Sequence, residues 1–392
     1  MRWFFFISAV LLCALSLLTW VPAWHVFVWQ AAIIAGEFGH YLGVVCLMLA
    51  CLILAYGFVM VEPEQNFWRL GGVAMILALV GAGFFFSPTA YALRLAPGLP
   101  GKLEHAFGHQ VTSSRPITMG RLWLPGAKVA EAKVTSHVFT PADWPEPLTL
   151  DLYAAGVPGA PVVLMIHGGG WTSGDRKQLA DLNHWIAAQG YHVAAISYRL
   201  APQYQWPAQR QDTLQALAWL KSNAASLGID GSRFVLMGRS AGAQIAGAVA
   251  YGVNDPAVRG FIGLYGVYDM GFVWSISRED DVLNSVQLMQ NFLGGAPRPE
   301  NQAAYDSASA QGLIKPGQTP PTLLVHGSVD TLCWVKHSQR LADDLAAAEV
   351  PHVFVELPWA VHAFDFNING PSGQLTTYAV REFLAARFQS DP

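Results

Sequence analysis

Arg233-Phe234-Val235-Leu236-Met237-Gly238-Arg239-Ser240-Ala241-Gly242 is an apolar run that breaks abruptly into small residues around one serine. Four consecutive apolar residues, Phe234–Met237, fit a short strand buried on both faces. The alanine-rich stretch from Ala241 fits a helix. The serine would then sit on a sharp strand-to-helix turn. Gly-x-Ser-x-Gly suits such a turn, because neighbours without Cβ let strand and helix approach while the central residue takes a strained backbone. A hydroxyl held this way is a candidate nucleophile. It is hardly ionised at neutral pH, so it needs a base.

Working outward, the apolar run Val162–Ile166 leads into His167-Gly168-Gly169-Gly170-Trp171. A glycine run after a buried strand lets backbone N–H groups point into a site unobstructed. Gly169 and Gly170, with the N–H of Ala241 after the serine, are candidate donors to an oxyanion. A phosphate-cradling loop is the rival reading, but the P-loop lysine and spacing are missing. Further along, Thr322–Val325 leads into His326-Gly327-Ser328-Val329-Asp330, and Val353–Leu357 leads into Pro358-Trp359-Ala360-Val361-His362. The order serine, acid, histidine, each on a loop after a strand, makes Ser240 the nucleophile, Asp330 the acid and His362 the base. Asp365 follows the histidine and Asp306 lies outside a post-strand loop, so both are weaker acids for the role. His326, His337 and His352 read as structural.

Strand and helix patterns alternate from residue 132 onward. Lys133–Thr140 and Leu148–Ala154 alternate as antiparallel strands do, Val193–Ser197 and Val258–Tyr265 are further strands, and Lys177–Gln189, Ala208–Ser226, Val335–Ala348 and Gln374–Phe388 are helical. The alternation predicts an α/β fold, a mostly parallel sheet with helices on both faces. A strand-free segment at about 268–314 reads as a cap insertion. An apolar acyl pocket is expected from Trp171, Phe272, Trp274 and Phe292 with Trp334 and Trp359, against the alternative of ordinary core packing.

These motifs resemble the α/β-hydrolases, in particular the esterase and lipase branch with an HGGG oxyanion loop. Hormone-sensitive-lipase-like and feruloyl-esterase-like carboxylesterases belong to that branch. The matching pieces are His167–Trp171, Ser197-Tyr198-Arg199-Leu200-Ala201-Pro202, Gly238–Gly242, His326–Asp330 and His362-Ala363-Phe364, and the resemblance covers residues 150–390. Membrane-bound prenylcysteine methylesterases are similar in joining N-terminal spans to such a domain. The resemblance implies that Arg199 and Asp212 are structural. Arg239 departs from the acidic residue frequent in the hormone-sensitive-lipase-like group.

The first 93 residues are a different compositional world. They carry five charges (Arg2, Glu37, Glu62, Glu64 and Arg69), although the 392-residue chain has 50. Trp3–Val21, Leu42–Val61 and Leu70–Leu93 are uncharged runs of 19, 20 and 24 residues, each long enough to cross a hydrocarbon core of about 30 Å. A cleaved leader competes for the first run, but it lacks an A-x-A-like site. Val26–Ala35 is too short to span and reads as an interfacial or re-entrant helix, flanked by Trp20, Trp24 and Trp29. Glu37 and His40 fall at i, i+3, expected on one helix face near the membrane surface. Residues 1–95 are thus expected to be a transmembrane region of about three spans. Residues 96–131 follow as a linker with turns at Pro97-Gly98, Pro100-Gly101 and Pro125-Gly126 that packs on the hydrolase domain, which occupies 132–392. Arg2 and Arg69 on one face balance Arg94 and Lys102 on the other, which leaves the side of the catalytic domain open.

A net charge of −4 without a basic stripe gives no reason to expect nucleic acid. Cys13, Cys46, Cys51 and Cys333 show no metal-ligand spacing, and neither metal nor cofactor is expected. The expectation is a multi-pass membrane serine carboxylesterase working through an acyl-enzyme on a small-molecule or lipid ester, in contact with membrane lipid. The motifs serve an amidase, formamidase or peptidase equally well, a catalytically silent membrane binding protein is the non-enzyme alternative, and the sequence sets no oligomeric state.

Overall fold

The structure is a computed structural model that describes residues 1–59, 65–111, 115–124 and 129–388. Its N-terminal module consists of α1 (Arg2–Ser16), α2 (Val26–Glu37), α3 (Gly39–Val59), α4 (Gln65–Leu95), α5 (Leu99–Phe107) and α6 (Met119–Trp123). The second half opens with β1 (Val134–Val138), β2 (Thr149–Tyr153), β3 (Ala160–Ile166), α7 (Ala180–Ala188), β4 (His192–Ile196), α8 (Ala208–Ser222) and α9 (Ala224–Leu227). It continues through β5 (Ile229–Arg239), α10 (Ala241–Gly252), β6 (Val258–Leu264), α11 (Met270–Ile276), α12 (Ser285–Leu293) and α13 (Gln302–Ala308). It closes with β7 (Thr322–Gly327), α14 (Lys336–Ala347), β8 (His352–Leu357) and α15 (Pro371–Phe388).

The strands form one sheet of eight in the order β1-β2-β4-β3-β5-β6-β7-β8, antiparallel at β1-β2-β4 and parallel from β4 to β8. This is the expected α/β-hydrolase architecture. The side-chain period of two divides β3 cleanly: Val162, Leu164 and Ile166 join the core on one face, Val163 and Met165 the core on the other. Burial on both faces explains why the central strands read as unbroken apolar runs. The helix expected over 208–226 ends at Ser222, where the Asn223 side-chain amide donates to the Trp219 carbonyl at 2.8 Å and competes with the helical ladder.

Three stretches, Arg2–Thr19, Gly39–Val59 and Arg69–Phe107, are long and apolar enough to cross a membrane. The expected span 42–61 runs past the described residues at positions 60 and 61, and Glu62 and Glu64 also lie outside them. α1, α3 and α4 meet through small side chains. Ala74 and Ala78 pack against Phe5, Ala9, Leu49, Ala50 and Ile53, and Ala82 against Cys46 and Phe85. Alanines at i, i+4 let apolar helices approach closely. Large apolar residues such as Phe4, Leu11, Leu52, Phe58 and Ile76 point outward.

The module is not tethered by a loose linker. Pro97-Gly98 and Pro100-Gly101 were expected as turns; instead each proline occupies the first positions of a helical turn, where its missing N–H costs nothing. Pro125-Gly126 lies outside the described residues. Leu99, Leu103 and Phe107 on α5 enter the core beneath the sheet, with Phe107 edge-on to Phe383 at 5.0 Å. Glu37 and His40 do not share a helix, since α2 ends at Glu37 and α3 begins at Gly39. Glu37 contacts the hydrolase half, and His40 contacts α6 within the module. The Ser372 N–H donates to Glu37 Oε2 at 3.2 Å, and His40 Nε2 donates to the Leu122 carbonyl at 2.8 Å.

If α5 is an integral part of the core, Leu103→Ala should cost about 2–5 kcal/mol through the cavity it leaves. The neighbouring exposed Lys102→Ala should stay within about 0.5 kcal/mol. Thermal melts of both variants in detergent check this; equal midpoints would show that α5 is not part of the folding unit.

Candidate active site

Ser240 follows β5 and precedes α10 with φ 54° and ψ −122°, a conformation costly for a residue with a Cβ. Its flanking glycines explain how it is held. A Cβ on Gly238 would lie 2.1 Å from the Gly242 carbonyl oxygen, and one on Gly242 would lie 2.2 Å from the Ile166 oxygen. Only residues without side chains allow α10 to start so close to the ends of β3 and β5.

The glycine loop after β3 faces this turn. Gly169 and Gly170 have φ of 121° and 56°. Gly168 N–H is engaged, donating to Gln178 Oε1 at 2.7 Å. Among the described residues the N–H groups of Gly169, Gly170 and Ala241 have no hydrogen-bond partner. Ala241 N–H also lies at the positive end of α10.

Asp330, after β7, and His362, after β8, are brought together: His362 Nδ1 lies 2.7 Å from Asp330 Oδ2. The other carboxylate oxygen accepts from the N–H groups of Leu332 and Cys333, each at 2.9 Å, and His326 Nε2 stands 3.3 Å from Oδ2. Burial alone would push the Asp330 carboxyl up, but the facing His362 and His326 and their hydrogen bonds outweigh it and hold the group well below the usual carboxylate range. His326 is thus a partner of the acid, fixed in turn by Ser338 and the Cys333 carbonyl. The Tyr265 ring lies 4.5 Å from the His362 ring, and Ser240 and His362 line one cavity of about 280 Å³. No hydrogen bond joins Ser240 Oγ to the imidazole in this structure; such contacts tighten when substrate binds. Ser240 and Cys333 border one small space, and burial pushes the Cys333 thiol well above its ordinary range.

Of the six aromatic residues expected to form an acyl pocket, Trp171 lines a space beside Ser240. Phe292 is stacked behind it at 4.1 Å, and Trp274 packs against the same core. Phe272 faces His337 and Arg340, Trp334 is exposed, and Trp359 is buried against Ser372. The remaining apolar walls come from Leu283, Leu288 and Leu332 and from two aromatic residues not among the six, Trp29 and Tyr265. Arg239 is buried and paired with Asp365 at 2.6 Å, and it also donates to the Leu179 carbonyl at 3.2 Å. This occupies Asp365, the rival acid. Arg199 and Asp212 form a buried pair 2.8 Å apart, away from the cavity, and Asp306 opens on a different groove. Among the described residues no cluster of histidine, cysteine, aspartate or glutamate is arranged to hold a metal ion.

Residues 150–345 match the BD-FAE family model. The chain belongs to the BD-FAE family of α/β-hydrolases. It is similar to the probable carboxylic ester hydrolase LipM of Mycobacterium tuberculosis (strain ATCC 25618 / H37Rv), 32% identical over 241 residues, 58% of this chain and 54% of the relative. Esterase LipC of the same organism is 28% identical over 57% of this chain and 58% of its own. The chain spans about half the length of the curated relatives it matches. Among solved structures, the esterase LipW from Mycobacterium marinum superposes with a TM-score of 0.54 at 22% identity, over 77% of this chain and 91% of that one. The thermophilic carboxylesterase EstE1 from a metagenomic library gives 0.57 at 20%, over 77% and 98%.

Two buried imidazoles near the site predict acid sensitivity. Burial lowers His167 to about 4 and His337 to about 3. The unfolded chain would protonate both near pH 6.5, whereas the folded chain resists until these lower values, so it binds fewer protons in that window. Stability from each is therefore present above about pH 6.5 and lost on acidification, by of order 3 kcal/mol per group. Urea melts at stepped pH between about 7 and 4 should show this slope, flatter in His337→Phe; identical slopes would contradict it.

Proposed function

We propose that the chain is a membrane-anchored serine carboxylesterase. The observation that carries this reading is the 2.7 Å contact of His362 with Asp330 beside a serine on a strained glycine-flanked turn. Ser240 Oγ attacks the ester carbonyl and passes its proton to His362 Nε2, while Asp330 holds Nδ1–H and stabilises the imidazolium. The N–H groups of Gly169, Gly170 and Ala241 receive the oxyanion. His362 returns the proton to the departing alcohol, and water releases the acid from Ser240 by the same steps. The relatives matched over more than half of this chain are named as a carboxylic ester hydrolase and esterases, which supports an ester substrate. α1, α3 and α4 are read as the membrane spans, with α2 at the interface.

Ser240→Ala should lower kcat on a short-chain p-nitrophenyl ester by about 10⁶ and abolish labelling by a fluorophosphonate probe. Asp330→Asn should lower kcat by about 10⁴. Retention of most turnover in Ser240→Ala would overturn the mechanism, and faster cleavage of the matched anilide than of the ester would move the assignment to an amidase.

A further inference from the structure

The space around Ser240 has two compartments. The first, about 280 Å³, contains His362, Tyr265, Arg239 and Trp29. The second, about 50 Å³, contains Trp171, Val267, Val273, Met289 and Cys333 and does not include His362. Ser240, Gly170, Leu283, Leu288 and Leu332 border both. Proton return to the leaving oxygen requires that oxygen to lie against the His362 imidazole. The alcohol part of an ester must therefore occupy the larger compartment, and the acyl part the smaller one on the far side of the serine. A volume of about 50 Å³ suits a short acyl group.

Trp29 comes from α2 of the N-terminal module, 333 residues from His362 in sequence. Its indole Nε1 donates to the His362 backbone carbonyl at 2.9 Å, and its ring lies 6.5 Å from the imidazole. The rest of α2 grips the same loops. Ala32 and Ile33 pack on Val329 and Val361, the residues directly before Asp330 and His362. At the end of the helix the Glu37 carbonyl accepts from Asn367 Nδ2 at 3.2 Å, and Glu37 Oε2 accepts from the Ser372 N–H. The helix is thus fixed to both loops rather than lying near them. Leu283 and Leu288 of the inserted segment line the same cavity, so the N-terminal module and that segment both contribute to the larger compartment.

We propose that Trp29 is a positioning and specificity residue: it fixes the His362 main chain and walls the leaving-alcohol compartment, so that the preferred substrate is a short-acyl ester of a bulky, largely apolar alcohol. The proposal rests on the ester-hydrolase reading of Ser240. Its recognition logic is asymmetric. Loss of the indole removes apolar contact with the alcohol, whereas loss of the N–H alone leaves that wall and frees the His362 carbonyl.

The test uses the full-length protein in detergent, with acid release followed for two substrate series. One varies the alcohol at constant acetyl: ethyl, cyclohexylmethyl and naphthylmethyl acetates. The other varies the acyl group at constant ethyl: acetate, butyrate and octanoate. Wild type is expected to favour naphthylmethyl over ethyl acetate and acetate over octanoate. Trp29→Ala should lose about fiftyfold in kcat/KM on the naphthylmethyl ester, about tenfold through KM for the missing wall and about fivefold through kcat for the missing donor, with the acyl-length ratios unchanged. Trp29→Phe should restore KM while lowering kcat about fivefold on all esters, because the ring remains and the donor is gone. If Trp29→Ala loses its cooperative melt, Trp29→Leu and Trp29→Phe give the same two readouts. Alcohol ratios within about twofold of wild type in folded Trp29→Ala or Trp29→Leu, or a change confined to the acyl series, would overturn the proposal. Ser240→Ala separates the two failures: if it stays active the ester-hydrolase reading falls, and if it is inactive while the Trp29 ratios do not move, only this inference falls.

Discussion

The close approach of α10 to the ends of β3 and β5 is the constraint from which the site follows. Gly238 and Gly242 leave no room for a methyl group, with carbonyl oxygens little more than 2 Å from where each Cβ would be. The chain must turn from strand to helix within one residue, and that residue, Ser240, is forced to positive φ. The strain is held by the buried sheet on either side, because relaxing it would separate the strands whose apolar side chains form both cores. The same packing sets the glycine loop after β3 opposite the helix N-terminus. Gly169 and Gly170 of that loop border the same cavity as Ser240.

The loops after β7 and β8 are fixed differently. They carry the carboxylate and the imidazole, and polar contacts rather than packing density hold them. Asp330 is engaged by two backbone N–H groups and two histidines, enough to offset the cost of burying its charge. Arg239 and Asp365 answer the same problem beside it. Each would be costly alone, and their 2.6 Å contact under Tyr265 leaves neither charge unpaired near the nucleophile. Asp365 is thereby removed from competition for His362.

The N-terminal helices combine two kinds of surface. Among themselves they pack through alanines that let the helices approach closely. Toward the hydrolase they present Leu99, Leu103 and Phe107 under the sheet, and Trp29, Ala32, Ile33 and Glu37 against the loops of Asp330 and His362. The family match begins at residue 150, so this second surface belongs to the part of the chain that the match leaves uncovered.

The serine turn, the glycine loop and the alternation of strands and helices could be read from the residues themselves. In each, a run of neighbours in sequence is also a run of neighbours in space, and a glycine or a two-residue period has one physical explanation. The apolar stretches in the first 95 residues were legible for the same reason, because hydrophobic length is a local quantity. The walls of the cavity were not. Trp171, Phe272, Phe292 and Trp359 are alike as letters, and only packing decides that Trp171 borders Ser240 while Phe292 is stacked behind it. Nor does linear spacing relate Trp29 to His362. Their contact depends on how a helix bundle docks on a sheet, which is fixed by the summed shape of two surfaces and by no short stretch of either.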